Sequence, residues 1–157
     1  MTKTHKRKAL ELCSLLFSVF CFSFLFNFFW EALHAVYLYH RHDFDAAHYV
    51  PMLLYVSSMD GLIVLGLYLF VSVLWLNLFW IKLFLKRQIL VFILSGIVVA
   101  TITEYLSVFY YHRWSYKEIM PTIFGIGISP LVQLSLTGFI GVWLTRELLY
   151  GKGLCRN

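Results

Sequence analysis

Three carboxylic acids interrupt stretches that otherwise belong in hydrocarbon: Glu31, Asp60 and Glu104. Ionisable side chains in such stretches are costly, and they mark a functional site by default. Each acid has polar company at helical spacing. Asn27, Glu31 and His34 fall at i, i+4 and i+7, on one side of a helix. Ser57 lies three residues before Asp60, and Thr101 lies three before Glu104, with Tyr105 next to it. Farther on, Gly125, Ser129, Gln133, Thr137 and Gly141 recur every four residues. That spacing forms a small and polar stripe suited to close packing and hydrogen bonding between membrane helices. Asn27, Ser57, Gln133 and Thr137 also read simply as packing groups.

Crowded together away from water, three carboxyls cannot all stay ionised cheaply. A protonated carboxylic acid beside a carboxylate, or beside His34, is a general acid/base pair. Glu31, Asp60, Glu104 and His34 are therefore the candidate catalytic residues. Asn27, Trp30, Tyr105, Trp114, Tyr116 and Gln133 are the candidate substrate contacts, with the aromatic rings able to stabilise a cation.

The elements that would hold these residues are membrane spans. A crossing needs about 20 apolar residues. The sequence predicts four spans, at about 12–36, 51–80, 88–110 and 120–144, in one all-α domain covering 1–157. The second is too long for one simple crossing, and either a long tilted helix or a helix followed by an interfacial turn over Leu76–Leu85 fits it. The charge-free stretch 88–103 has 16 residues, about 24 Å of helix. Glu104 is therefore expected inside the bilayer or at its rim. Pro121 suits the first turn of the fourth span. Gly125, Gly127 and Pro130 should bend or unwind that helix, which is tolerated where it faces protein or a cavity.

Orientation follows from the basic residues. With the N-terminus inside, the inner side holds Lys3, Lys6, Arg7, Lys8, Lys82, Lys86, Arg87, Arg146, Lys152 and Arg156, and the outer side only Arg41, Arg113 and Lys117. This bias puts both termini in the cytoplasm and the protein in the cell membrane. Tyr37, Tyr39, Tyr110, Tyr111 and Trp114 then mark the outer interface, and Trp75, Trp80 and Tyr150 the inner one. Under this topology Glu31, Asp60 and Glu104 all fall in the outer half of the membrane.

Composition agrees with the spans. Only 13% of the residues are charged and 61% are hydrophobic, against about 25% charged in a soluble domain. The net charge of +5 sits at the ends of apolar runs, so it meets lipid headgroups and gives no reason to expect nucleic acid as a partner. The basic N-terminus and the long run 12–30 read as an uncleaved signal anchor, because a cleaved signal has an apolar stretch of roughly 7–15 residues. Cys13, Cys21 and Cys155 form no C-x-x-C pair and suggest neither redox chemistry nor zinc.

The loop between the first two spans carries His40, Arg41, His42, Asp43, Asp45 and His48. Such a loop is open to two readings beyond plain solvation, a metal site or a sensor of external pH. Glu31-x-x-His34 has the spacing of carboxylate-bridged metal sites, but a di-iron centre needs two such motifs. Gly125-x-Gly127 follows no strand, so it is not a nucleotide loop. No cofactor can be assigned.

N-x-x-W-E (Asn27, Trp30, Glu31), the acid of the third span, and W-x-Y-x-x-x-M-P-x-x-x-G-x-G-x-x-P-x-x-Q (Trp114 to Gln133) resemble a group of small prokaryotic four-span membrane proteins. That resemblance covers most of the chain and implies no particular activity. N-x-x-W-E is also similar to a motif of membrane-integrated terpene cyclases, in which the motif Glu protonates the substrate; here it corresponds to Glu31. The expectation is an enzyme doing acid/base chemistry on an isoprenoid or lipid near the outer leaflet. The alternatives are a proton-linked small transporter, an accessory subunit of a membrane complex, and a metal-dependent membrane hydrolase. A homo-oligomer or a membrane partner is compatible with each.

Overall fold

The computed structural model describes residues 3–39 and 45–151. Four helices are long and apolar enough to cross a membrane. They are α1 (Lys3–Tyr37), α2 (Ala46–Leu74), α3 (Lys86–Tyr105) and α4 (Ile128–Tyr150). The protein is a multi-pass membrane bundle. Its only sheet among the described residues is a two-stranded hairpin, β1 (Thr122–Ile123) with β2 (Ile126–Gly127).

α1 packs along α2 and α4, and α4 packs along α3, whereas α2 and α3 share a smaller contact. The α1–α4 seam is the polar stripe. Gly141 faces Ser23, Thr137 and Gln133 face Asn27, and Ser129 faces His34, so the two helices run antiparallel. A Cβ on Gly141 would lie 2.7 Å from Ser23 Oγ and 3.2 Å from its backbone nitrogen. Backbone cannot retreat as a flexible side chain can. Gly141→Val is expected to part the helices and cost about 1–3 kcal/mol, read as earlier unfolding when SDS is titrated into mild detergent.

The second span ends at Leu74, and the apolar residues after it do not continue as helix. They turn back and form a single 3-10 turn over Trp80–Lys82. Asn77 Oδ1 accepts from the Phe79 N–H at 2.9 Å, and Tyr68 donates to the Leu78 carbonyl at 2.6 Å. Trp80 stacks on Tyr68 with ring centres 5.2 Å apart and is buried. Of the two geometries the sequence allows for the overlong stretch, the helix followed by a turn is the one adopted. α2 also begins before Pro51: Asp45 caps its N-terminus, accepting from the His48 N–H at 3.1 Å.

The fourth span departs from expectation. Pro121 is not in its first turn; Pro130 is. The segment before it is the hairpin, with Phe124 (φ 52°) and Gly125 (φ 76°) as its two turn residues. Two successive positive φ values give the turn that matches strand twist. Gly125 therefore lies off the α4 stripe. Glycines 125 and 127 do not bend the helix; they build the structure in front of it. Lys117 N–H donates to the Leu38 carbonyl at 2.9 Å and Lys117 Nζ to the Val36 carbonyl at 2.8 Å, and Tyr116 pairs with Tyr39 as a β-bridge. These bonds fasten the segment before the hairpin across the end of α1.

Candidate functional site

Glu31, Asp60 and Glu104 line one cavity of 790 Å³ at the hairpin end of the bundle. Small-molecule sites usually enclose about 300–1,000 Å³. The helices deliver the acids from three directions. Glu31 comes from the last turns of α1, Asp60 from the middle of α2 and Glu104 from the last turn of α3. α4 supplies Gln133, which lies between them.

The acids have different surroundings. Gln133 Nε2 donates to Glu31 Oε1 at 2.7 Å and reaches Asp60 Oδ2 at 3.4 Å and Asn27 Oδ1 at 3.2 Å. An amide nitrogen carries two hydrogens, so three acceptors share two donors. Asn27 is better supplied than the acids, because Thr137 Oγ1 also donates to it at 3.0 Å. Glu104 stands apart from this group. Its Oε2 accepts from the Trp114 indole N–H at 3.2 Å and from the Tyr116 hydroxyl. Two donors on one oxygen suit a carboxylate.

Tyr39 joins the two sides. It is 7% exposed, and its ring meets His34, Trp114 and Tyr116 at 5.8, 6.1 and 5.6 Å between centres. Burial, and after it the negative charge of Glu104, pushes the Tyr39 phenol above its ordinary range. Burial, and after it the hydrogen bond to Glu104, does the same to Tyr116. Both phenols therefore keep their protons. A phenol raised in the folded protein contributes stability that is complete below its unfolded value of about 10 and lost as pH climbs through the folded value. In an alkaline absorbance titration at 295 nm, Tyr39→Phe and Tyr116→Phe are expected to leave the first tyrosine phase unchanged and to shrink only the late one.

Of the residues expected from sequence, Glu31, Asp60, Glu104, Gln133 and Trp114 line the cavity. Asn27 is fully buried behind it and steadies Gln133. Tyr116 reaches it through Glu104. His34 and Trp30 do not line it. The Trp30 indole N–H donates to His34 Nε2 at 2.8 Å, and Ser129 Oγ bonds the same nitrogen. An indole N–H can only donate, so Nε2 accepts and the ring proton sits on Nδ1. His34 Nδ1 is buried with no partner among the described residues. His34 thus secures α1 to α4 beside the site.

Tyr105 is a correction. It is 55% exposed and stacks on Phe109, away from the cavity. Successive helical residues point about 100° apart, so a buried Glu104 turns Tyr105 to the outside. Thr101 donates to its own helix at Ile97 and not toward Glu104.

Three features were not evident from sequence. Tyr39 reads as one of several interfacial tyrosines, yet it lines the cavity. Ser107 and Val108 also line it, from a π-helical turn over Leu106–Tyr110 that follows Glu104. Such turns are common at functional sites, but no sequence signal marks this one. Met52, Tyr55 and Met59 form the α2 wall; their spacing on one helix face is the only sequence trace of it.

Asp45 and His48 pair with each other at 2.6 Å on an exposed surface. The rest of the histidine loop, residues 40–44, lies outside the described residues. Among those described, no group of three His, Cys, Asp or Glu is arranged to hold a metal ion, and the Glu31-x-x-His34 spacing places His34 on Trp30 and Ser129. No family model, curated protein or solved structure matches the chain.

Proposed function

We propose that the protein is a membrane enzyme that moves a proton on a lipophilic substrate, an isoprenoid or another unsaturated lipid. One observation carries this reading. Carboxyls in two different hydrogen-bonding settings face the same cavity. Glu104, with two dedicated donors, is furnished as the base. Glu31 and Asp60 compete for one amide nitrogen, so a proton retained on one of them supplies the missing hydrogen bond and makes that residue the acid. Groups whose settings separate their roles in this way divide acid from base. The acid would protonate a carbon–carbon double bond, and the base would take a proton from a neighbouring carbon, isomerising the chain with no net gain or loss of atoms.

The distribution of Lys and Arg supports placing the hairpin end at the outer leaflet of the cell membrane, with both termini cytoplasmic. A proton-linked carrier is less favoured. Beyond Thr137 the interior is mainly Leu15, Val19, Val64, Tyr68, Phe92 and Val142, with Ser23, Ser72, Gln88 and Thr145 as scattered buried polar residues. None of these four lines the cavity, and none is ionisable.

The test needs no knowledge of the product. Purified protein in phosphatidylcholine bicelles with polyprenols in heavy water is expected to place deuterium on the prenyl chain, seen by mass spectrometry. Absence of incorporation above a protein-free control, across polyprenols and unsaturated acyl lipids, would sink the enzyme reading.

A further inference from the structure

The cavity has a consistent chemical polarity. Its deep wall offers acceptors: the carboxyls of Glu31, Asp60 and Glu104, together with Gln133. None of the three acids pairs with a Lys or Arg among the described residues, whose ion pairs lie elsewhere. Gln133 is 4% exposed and spends its nitrogen on Glu31, Asp60 and Asn27. Glu31 and Asp60 thus face the cavity with one amide nitrogen shared between them and no cation beside them among the described residues, which points to a donor that arrives from outside.

The basic lining residues, His112 and Arg113, are exposed at the loop end. Arg113 lies over the Tyr111 ring at 5.1 Å. They could meet an anion only at the rim, whereas an anion in the deep part would face three carboxyls. Aromatic rings of Tyr39, Tyr55 and Trp114 also line the space, and ring faces attract cations.

The side of the cavity is open as well. α2 packs mainly on α1 and α3 mainly on α4, with a smaller contact between α2 and α3. On α2, Tyr55 and Met59 line the cavity while being 67% and 42% exposed. On α3, Thr103 lines it and is exposed too. In a spanning bundle that exposure is to lipid, so the space between α2 and α3 communicates with the bilayer.

We infer that the cavity binds a single-chain hydrophobic ammonium, which enters sideways from the bilayer between α2 and α3. The ammonium N–H groups meet Glu31 and Asp60, and the chain lies along Met52, Tyr55 and Met59. This inference shares its cavity with the proposed enzyme but does not depend on turnover. In a proton-transfer enzyme, a stable ammonium would occupy the place of a transient cation on the substrate.

The test is equilibrium binding by calorimetry to the full chain in phosphatidylcholine bicelles, with dodecylammonium, dodecanol and dodecyl phosphate as probes. Dodecylammonium is expected to bind at least tenfold more tightly than dodecanol, and dodecyl phosphate more weakly than either. Affinity for the ammonium is expected to fall as pH is lowered from 8 to 5, because protons compete for the same carboxylate oxygens. Met59→Trp, which fills the side opening, should weaken or slow binding, whereas Leu94→Trp on the exposed face of α3 outside the cavity should not. Equal affinity for ammonium and alcohol, or preference for the phosphate, overturns the proposal, and both comparisons use the unaltered protein. Ammonium preference without deuterium incorporation would leave the binding site standing and remove the enzyme. Incorporation without ammonium preference would do the reverse.

Discussion

Replacing Gln133 by leucine is expected to destabilise the protein by about 2–4 kcal/mol, the largest stability loss of any single polar substitution in the bundle. The reason is position. One nitrogen serves residues on two other helices, Asn27 and Glu31 on α1 and Asp60 on α2. Leucine occupies nearly the same volume and strands two carboxyls. Removing a partner so that buried polar groups lose their donor costs about 1–3 kcal/mol each. Thr137→Val makes the contrast. It removes one bond to Asn27, and an interhelical hydrogen bond in a membrane averages about 0.6 kcal/mol. Unfolding by SDS in bicelles measures both. If Gln133→Leu unfolds no earlier than Thr137→Val, Gln133 is not the junction its contacts imply. Raising acidity should reduce the difference between wild type and Gln133→Leu, since protonated Glu31 and Asp60 can bond each other or water in the cavity.

This junction was half visible in the sequence. Asn27 and Glu31 share a helix face by spacing, and Ser129, Gln133 and Thr137 share another. Nothing in one chain of letters says that the two faces meet. The antiparallel seam supplies that: α1 and α4 each carry small or polar residues at four-residue spacing, but so does α3 at Gly96, Ala100 and Glu104, and spacing alone does not choose the pair. The acids were legible for a simpler reason, since charge inside a hydrocarbon-length run is rare enough to stand out. The aromatic contacts were less legible. Trp114 and Tyr116 belong to a loop, and what aims them at Glu104 is the bridge between Tyr116 and Tyr39 and the hold of Lys117 on the end of α1. Tyr105 was misplaced by proximity in sequence, which on a helix is the opposite of proximity in space. The hairpin escaped because two strands of two residues show no alternation to read. Its only trace was Phe124-Gly125, and a glycine before an apolar run serves a bent helix equally well. The chain leaving α2 was ambiguous because Leu76–Leu85, apolar apart from Asn77 and Lys82, suits either geometry. The choice falls to Tyr68, whose hydroxyl and ring catch the chain as it turns back.

Glu104→Gln is expected to lower proton transfer to the prenyl chain by at least about a hundredfold while leaving the fold intact, the usual contribution of a positioned base being 10²–10⁴. The substitution keeps the shape and an acceptor oxygen for Trp114 and Tyr116, so stability measures whether packing has survived. It removes the charge and the capacity to accept a proton. Tyr116→Phe and Trp114→Phe separate position from chemistry. Each leaves the carboxyl in place with one donor fewer; activity should fall less than in Glu104→Gln, and the pH profile of the reaction should move. Glu31→Gln and Asp60→Asn act on the other side of the cavity. Only the residue that holds the donated proton should match the loss seen with Glu104→Gln, because the other supplies no proton and its amide can still bond Gln133. A matched loss in one of the two, with the other active, assigns the acid. Near-full activity in Glu104→Gln, with stability unchanged, would remove the base from the scheme. The three carboxyls would then remain as the acceptors of a bound cation.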